Sequence, residues 1–360
     1  MGLAFEQSRR DSDNNFLILR LVAASLVVYG HSFALAAPCA SCIDMFGTLF
    51  RYRYSGDIGL HIFFIISGFL VTASFCNRSS LIEFMKARLL RIYPALMVCS
   101  VLMILLGAVL TTYDQSSYWS SSETWRFWYL NFTLRGIAFD LPGVFQELKF
   151  KAMNGSLWSL AVELRLYFIV AIFGLLGAFR SRRITNIVLI AIVFLAVLKP
   201  QWIFFFSKAP ENLRVAGFFL LGSLAYMNRS LIPMRWALLV VSVAIAAITF
   251  GTVLFEWFAG VTLCYGVFLI AFARKIQLPA ILKDYSYGIY LYAWPIQQLI
   301  ALNAPEWGPY AMFSLALPIA WALGAASWFL IEKTAMRLKR VNVFTWMRST
   351  ARNLVPRPSA

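Results

Sequence analysis

Charge, histidine and cysteine are all scarce in this sequence. Of its 360 residues 13% are charged and 61% hydrophobic, with 32 Phe. A soluble domain carries about a quarter charged residues, so this composition excludes an ordinary soluble globule. Strand-length segments of alternating polarity are missing too, which excludes an outer-membrane β-barrel. Internal repeats and low-complexity tracts are not evident. The five cysteines include one C-x-x-C, Cys39 and Cys42. A zinc site needs about four ligands, and no others lie near; a local disulfide or two inert thiols remain open.

What is present is a series of apolar runs near the length an α-helix needs to cross a bilayer. They predict an all-α, polytopic bundle of about ten transmembrane helices, at 16–37, 58–76, 93–112, 157–177, 184–200, 213–228, 235–250, 253–272, 286–302 and 309–331. The longest connection, 113–156, is polar and aromatic. Residues 1–340 read as one transmembrane domain and 341–360 as a basic cytoplasmic tail. The net charge of +16 needs no nucleic acid, because Lys and Arg collect in cytoplasmic loops. Counted over alternate sides, 22 fall with the termini and 9 opposite, with Arg165 inside a span. Both termini are therefore expected in the cytoplasm. The first apolar run, about 22 residues, is too long for the apolar part of a cleaved leader and is expected to be retained.

Ionisable residues inside spans are costly and face the bundle interior. Arg20 and His31 lie on the first span, eleven residues apart. That spacing is about three turns plus 20°, or about 16 Å of rise on one face. Taken singly, Arg20 reads as a snorkelling cation and His31 as a ring bonded to a carbonyl. His61 opens the second span after Asp57, at a depth resembling that of His31; interfacial hydrogen bonding is its default and no metal is expected. Glu163 sits in the outer half of the fourth span with Ser159 at i−4 on the same face. A buried carboxylate needs a partner, and His31 is a candidate; such a pair would make His31 a general base. Arg88 and Arg91, three apart, share a helical face that can fork onto phosphate oxygens or anchor to anionic lipid. Glu332 beside Lys333 reads as a surface ion pair. Tyr287, Tyr290, Tyr292 and Trp294 read as an interfacial belt, a substrate-stacking platform, or both.

Together these segments resemble the acyltransferase 3 family of membrane-bound O-acyltransferases, over roughly residues 16–340. The resemblance rests on six motifs in order: Arg20-x10-His31; Gly59-Leu60-His61 through Ser67-Gly68-Phe69-Leu70; Arg88-x-x-Arg91 with Pro94; Trp158-Ser159-Leu160 with Glu163; Ser286-Tyr287-Gly288-Ile289-Tyr290-Leu291 with Trp294-Pro295; and Ile331-Glu332-Lys333. Two positions depart from it. Many members carry His before the Trp-Pro of the ninth helix, where this chain has Ala293, and many follow the fourth-helix Glu with Glu or Gln, where this chain has Leu164.

The resemblance implies transfer of an acyl group, usually acetyl from acetyl-CoA, to a hydroxyl of a surface or secreted carbohydrate or its lipid-linked precursor. The setting it implies is a bacterial inner membrane. His31 and Glu163 are then the catalytic candidates, Arg20, Arg88 and Arg91 the acetyl-CoA contacts, and Asp57, His61, Ser159, Tyr290 and Trp294 the substrate contacts. Oligomeric state is not readable. Two alternatives stay open: a proton-coupled exporter using the same intramembrane charges, and an acyltransferase with a lipid, peptide or small-metabolite acceptor.

Overall fold

The computed structural model describes residues 14–37, 42–50, 54–77, 80–199 and 209–340. The described residues form helices and connecting loops without a β-strand. Cys39, both termini and the tail beyond 340 lie outside them, and with them the C-x-x-C disulfide question and the expected cytoplasmic ends. Among the described residues six helices are long and apolar enough to cross a membrane. They are α1 (Phe16–Leu35), α3 (Ser55–Cys76), α4 (Leu81–Leu110), α7 (Trp158–Leu175), α11 (Val253–Ala271) and α13 (Pro309–Ser327), which runs on through a π-turn at Trp328–Glu332 into α14 (Lys333–Arg337). The other four segments read as spans are also helical: α8 (Arg182–Leu198), α9 (Pro210–Met227), α10 (Trp236–Ile248) and α12 (Ser286–Asn303). At 13 residues α10 rises about 20 Å, short of a hydrocarbon core of about 30 Å. Short helices α2 (Met45–Phe50), α5 (Gln115–Ser120) and α6 (Ser122–Thr133) complete the set.

Helix α4 differs from expectation by starting at Leu81 instead of residue 93, with Pro94 inside it. Proline removes one backbone donor and disfavours a continuous helix. The buried side chains of Phe84, Ala87 and Ile92 give the segment before it an apolar face, and packing carries the helix through. Arg88 and Arg91 therefore stand on a helix that is long and apolar enough to cross a membrane.

Glycines set how closely the central helices approach. A Cβ on Gly30 would stand 2.5 Å from the backbone nitrogen of Gly56, and one on Gly59 would run into the carbonyl oxygen of Ala23. Helices α1 and α3 thus lie antiparallel with Gly30 level with Gly56, and Phe16 level with Phe69 through a ring contact of 5.8 Å.

The polar connection 113–156 does not stand clear of the bundle end. The Tyr118 hydroxyl donates to the Ile104 carbonyl at 2.9 Å, and Phe132 meets Tyr93 at 5.9 Å between ring centroids. Helix α6 therefore runs antiparallel down the flank of α4. The chain turns at Leu134, which has a left-handed φ of 52°, and returns to Thr111, whose hydroxyl donates to the Pro142 carbonyl at 2.8 Å. Some of its buried polar groups are satisfied locally, as where Asn131 bonds both the N–H and the carbonyl of Ala138, and others across the bundle, as where Asn154 donates to the Leu291 carbonyl. That is how a polar segment can be buried beside apolar helices.

Candidate active site

A cavity of about 120 Å³ opens between α1, α3, α4, α7 and α12. Its walls bring together six of the residues singled out from sequence as site candidates: Arg20, Arg88, Arg91, Ser159, Glu163 and Tyr290. The three-residue spacing of Arg88 and Arg91 on α4, and the four-residue spacing of Ser159 and Glu163 on α7, place each pair on one face.

Glu163 makes its hydrogen bonds inside this cavity. Its Oε1 accepts from the Ser67 hydroxyl at 2.8 Å and the Tyr167 hydroxyl at 2.6 Å. The expected His31–Glu163 hydrogen bond is not formed, and the reason is depth. Ser67 lies eleven residues along α3 from Gly56, the residue level with Gly30, which is about 16 Å. Glu163 shares the depth of Ser67 and so lies nearer Arg20 than His31. The sequence reading assumed that α7 starts at a membrane surface. Instead Met153, Asn154, Ser156 and Leu157, which precede it, are themselves buried, so α7 starts deep.

Below Glu163 the cations are tied to carboxylates. Asp284, just before α12, takes Arg20 at 3.2 Å and Arg91 at 2.6 Å, and accepts from the Ser286 hydroxyl at 2.6 Å. Burial pushes its carboxyl up, but Arg20, Arg91 and Ser286 outweigh burial and hold it at about 2. Arg91 also meets Glu332 at 3.2 Å, and Glu332 accepts from Ser327 at 3.1 Å. Glu332 is 2% exposed, so it is a buried anchor for Arg91, not half of a surface pair with Lys333. The π-turn that carries it is the kind of helix irregularity that re-aims a side chain. Arg88 reaches the Ser74 hydroxyl at 3.3 Å and lies over the Tyr167 ring. Arg20 keeps a buried Nε–H without an acceptor.

His31 does not line the cavity. It stands above it on the same helix, edge-on to Trp294 at 4.8 Å between ring centroids, and its buried Nδ1 has no hydrogen-bond partner. The wall around it is fixed by side-chain amides and indole. Gln297 donates to the Val28 carbonyl and the Ser32 hydroxyl, and Trp294 donates to the Ala152 carbonyl. Gly155 lies so close to the Trp294 ring that a Cβ would stand 2.5 Å from it. Between the two levels, the Tyr290 hydroxyl bonds Ser159 at 2.6 Å and donates to the Ser156 carbonyl at 2.9 Å.

The remaining candidates are not brought to this site. His61 is buried against Phe218, rings stacked at 3.8 Å, so it faces α9 while His31 faces α12. Asp57 sits in the first turn of α3, outside the cavity wall. No group of three or more potential metal ligands occurs among the described residues. Sequence reasoning missed Ser67, Tyr167 and Asp284. Tyr167 had a signal, four residues after Glu163 on one helical face; Asp284 had none, because its partners lie 264 and 193 residues away in the chain.

Comparison with known proteins agrees with the resemblance. The profile of the acyltransferase 3 family, described as an acyltransferase domain, matches residues 14–332. An O-acetyl transferase of Shigella phage Sf6 is 27% identical over 341 residues, covering 89% of this chain and 95% of that protein. Nodulation protein 10 of Rhizobium leguminosarum bv. viciae is 29% identical over 365 residues, covering 91% and 94%. No solved structure matches. A helical bundle with helices apolar and long enough to cross a membrane, an arginine-lined cavity and a family match over nearly the whole chain have one common description: the chain belongs to the acyltransferase 3 family and is an O-acyltransferase.

Proposed function

We propose that the protein moves an acetyl group from acetyl-CoA to a hydroxyl of a cell-surface or secreted polysaccharide, or of its lipid-linked precursor. It would do so in a bacterial inner membrane, with about ten helices crossing and both termini cytoplasmic. The observation that carries this reading is the arrangement along α1: His31 with an unpartnered ring nitrogen above, and Arg20 at an arginine-bearing cavity below. The relative named O-acetyl transferase supports acetyl as the group moved.

The residues present suit an anionic acyl donor entering from the arginine end. Arg20 offers an unsatisfied Nε–H, and a buried donor without an acceptor is costly, so a phosphate or carbonyl oxygen there would be stabilised. Arg88 adds charge on the same wall, whereas Arg91 is already held by two carboxylates and serves better as the anchor of the wall. The acyl arm would then rise past Ser159 and Tyr290 to His31. A His31 nitrogen accepts the proton of the acceptor hydroxyl. Its oxygen forms the new C–O bond at the thioester carbon, the C–S bond breaks, and the leaving thiolate takes the proton back. Glu163, at the depth of the arm, would act there by holding the Ser67 and Tyr167 hydroxyls, not by orienting the imidazole.

Membranes containing the wild-type protein should transfer label from acetyl-labelled acetyl-CoA to glycan, and NMR of the polysaccharide should show O-acetyl signals that depend on the protein. His31→Ala should abolish both at normal abundance. Retained acetylation in that variant would remove His31 from the chemistry. An exporter, a reading that the family match does not favour, would give no transfer at all.

A further inference from the structure

We propose that Asp284 is a positioning residue for acyl transfer, holding one corner of the Arg20 guanidinium so that its remaining edge faces the donor. The inference rests on the reading that the cavity receives acetyl-CoA. Three observations carry it. The Ser286 hydroxyl, on the first residue of α12, donates to Oδ1 at 2.6 Å, which fixes the carboxylate to the start of that helix. The other oxygen, Oδ2, takes Nη2 of Arg20 from α1 at 3.2 Å and Nη2 of Arg91 from α4 at 2.6 Å. Arg20 meanwhile has a buried Nε–H with nothing to donate to, although it stands in the cavity wall.

A guanidinium is a rigid planar fork. Pinning Nη2 to a fixed oxygen limits where Nε–H and Nη1 can point. Arg91 has a second carboxylate in Glu332; among the described residues Arg20 has no ion-pair partner besides Asp284. Without Asp284 the two guanidiniums would face each other as like charges in a water-poor site. Arg20 would be the one to swing away, while Arg91 stayed in place.

The test is a double-mutant cycle on purified protein in lipid nanodiscs, comparing wild type, Asp284→Asn, Arg20→Lys and the double variant. Steady-state constants are measured for acetyl-CoA and for the acceptor, and CoA alone is used as a probe in a thermal-shift assay. Asp284→Asn should raise the donor KM roughly tenfold, leave the acceptor KM unchanged and remove the CoA-induced shift. The double variant should be no worse than Arg20→Lys alone, because residues acting through one another are not additive. Asp284→Glu keeps the charge but lengthens the arm. It should raise the donor KM by less than Asp284→Asn, and it supplies the comparison if the Asn variant does not accumulate. An unchanged donor KM in these variants, or fully additive losses, overturns the inference. A wild type that neither transfers acetyl from acetyl-CoA nor responds to CoA overturns the functional reading itself, a result distinct from additivity in an active enzyme.

Discussion

Gly68→Ala should destabilise the protein severely while Gly217→Ala should not, although each adds one methyl to a helix of the same bundle. Gly68 of α3 faces α9. A Cβ there would stand 2.8 Å from the carbonyl carbon of Phe219 and 3.0 Å from its Cα, and would be closer still to the carbonyl oxygen. Gly222 on α9 repeats the approach in reverse, its Cβ falling 2.9 Å from the nitrogen of Phe69. The obstacle is backbone on both sides, so no rotamer change can relieve it. The helices must part by on the order of 1 Å, a gap that forfeits roughly a quarter to a half of each dispersion contact along the seam. With overpacking strain the cost is about 3 kcal/mol. Gly217, on α9 with nothing within 4 Å, should gain roughly 0.5–1 kcal/mol from the helix preference of Ala. Thermal unfolding in one detergent should therefore place Gly68→Ala well below wild type and Gly217→Ala at or slightly above it. Ser67 precedes Gly68 and holds Glu163, so acetylation should fall with the first variant alone. Equal melting of the two variants would refute the close-approach argument.

Glu332→Ala leaves Arg91 with one of its two carboxylates, and loss of a buried ion-pair partner costs on the order of 3 kcal/mol; a lowered melting temperature checks it, and an unchanged one contradicts it. Tyr290→Phe strips a hydroxyl shared by Ser159 and the Ser156 carbonyl, worth about 2 kcal/mol for two buried bonds, which denaturant unfolding would register along with slower transfer. Asp284, held at about 2 against an ordinary 3.8, has a depressed folded value. Its contribution is present above the ordinary value and lost as pH falls through about 2, so the donor KM should show no Asp284-dependent change between pH 8 and 5. A rise over that range that disappears in Asp284→Asn would contradict the assignment.

The helices were legible because the apolar runs are long, and the Arg88–Arg91 and Ser159–Glu163 pairs because helical spacing fixes a shared face. Ser159 and Glu163 needed only the four-residue rule to be placed together. What failed was depth. Counting inward from the end of a polar connection put Glu163 beside His31, but the connection is folded into the bundle and shifts every position on α7 downward. Arg88 and Arg91 share a wall of the cavity as their spacing indicated, and Arg91 is also bound to Asp284 and Glu332 by contacts that no local pattern encodes. The histidine missing at Ala293 leaves a tightly packed wall: Ala293 is 1% exposed, and the residues beside it, Trp294 and Gln297, hold the surroundings of His31.

The buried approach to α7 also bears on how the chain assembles. Asn154 donates to the Leu291 carbonyl at 2.8 Å, across 137 residues, and Ser156 accepts from Tyr290 across 134. Their acceptor and donor on α12 do not yet exist when the 150s leave the ribosome. Insertion in order of synthesis can therefore deliver α7 to the membrane but cannot seat it. Its polar leader must wait, with Asn154 and Ser156 bonded to water or to provisional partners, until α12 arrives and draws them in. The arginine-lined cavity, bounded by both helices, is then among the last parts of the protein to close.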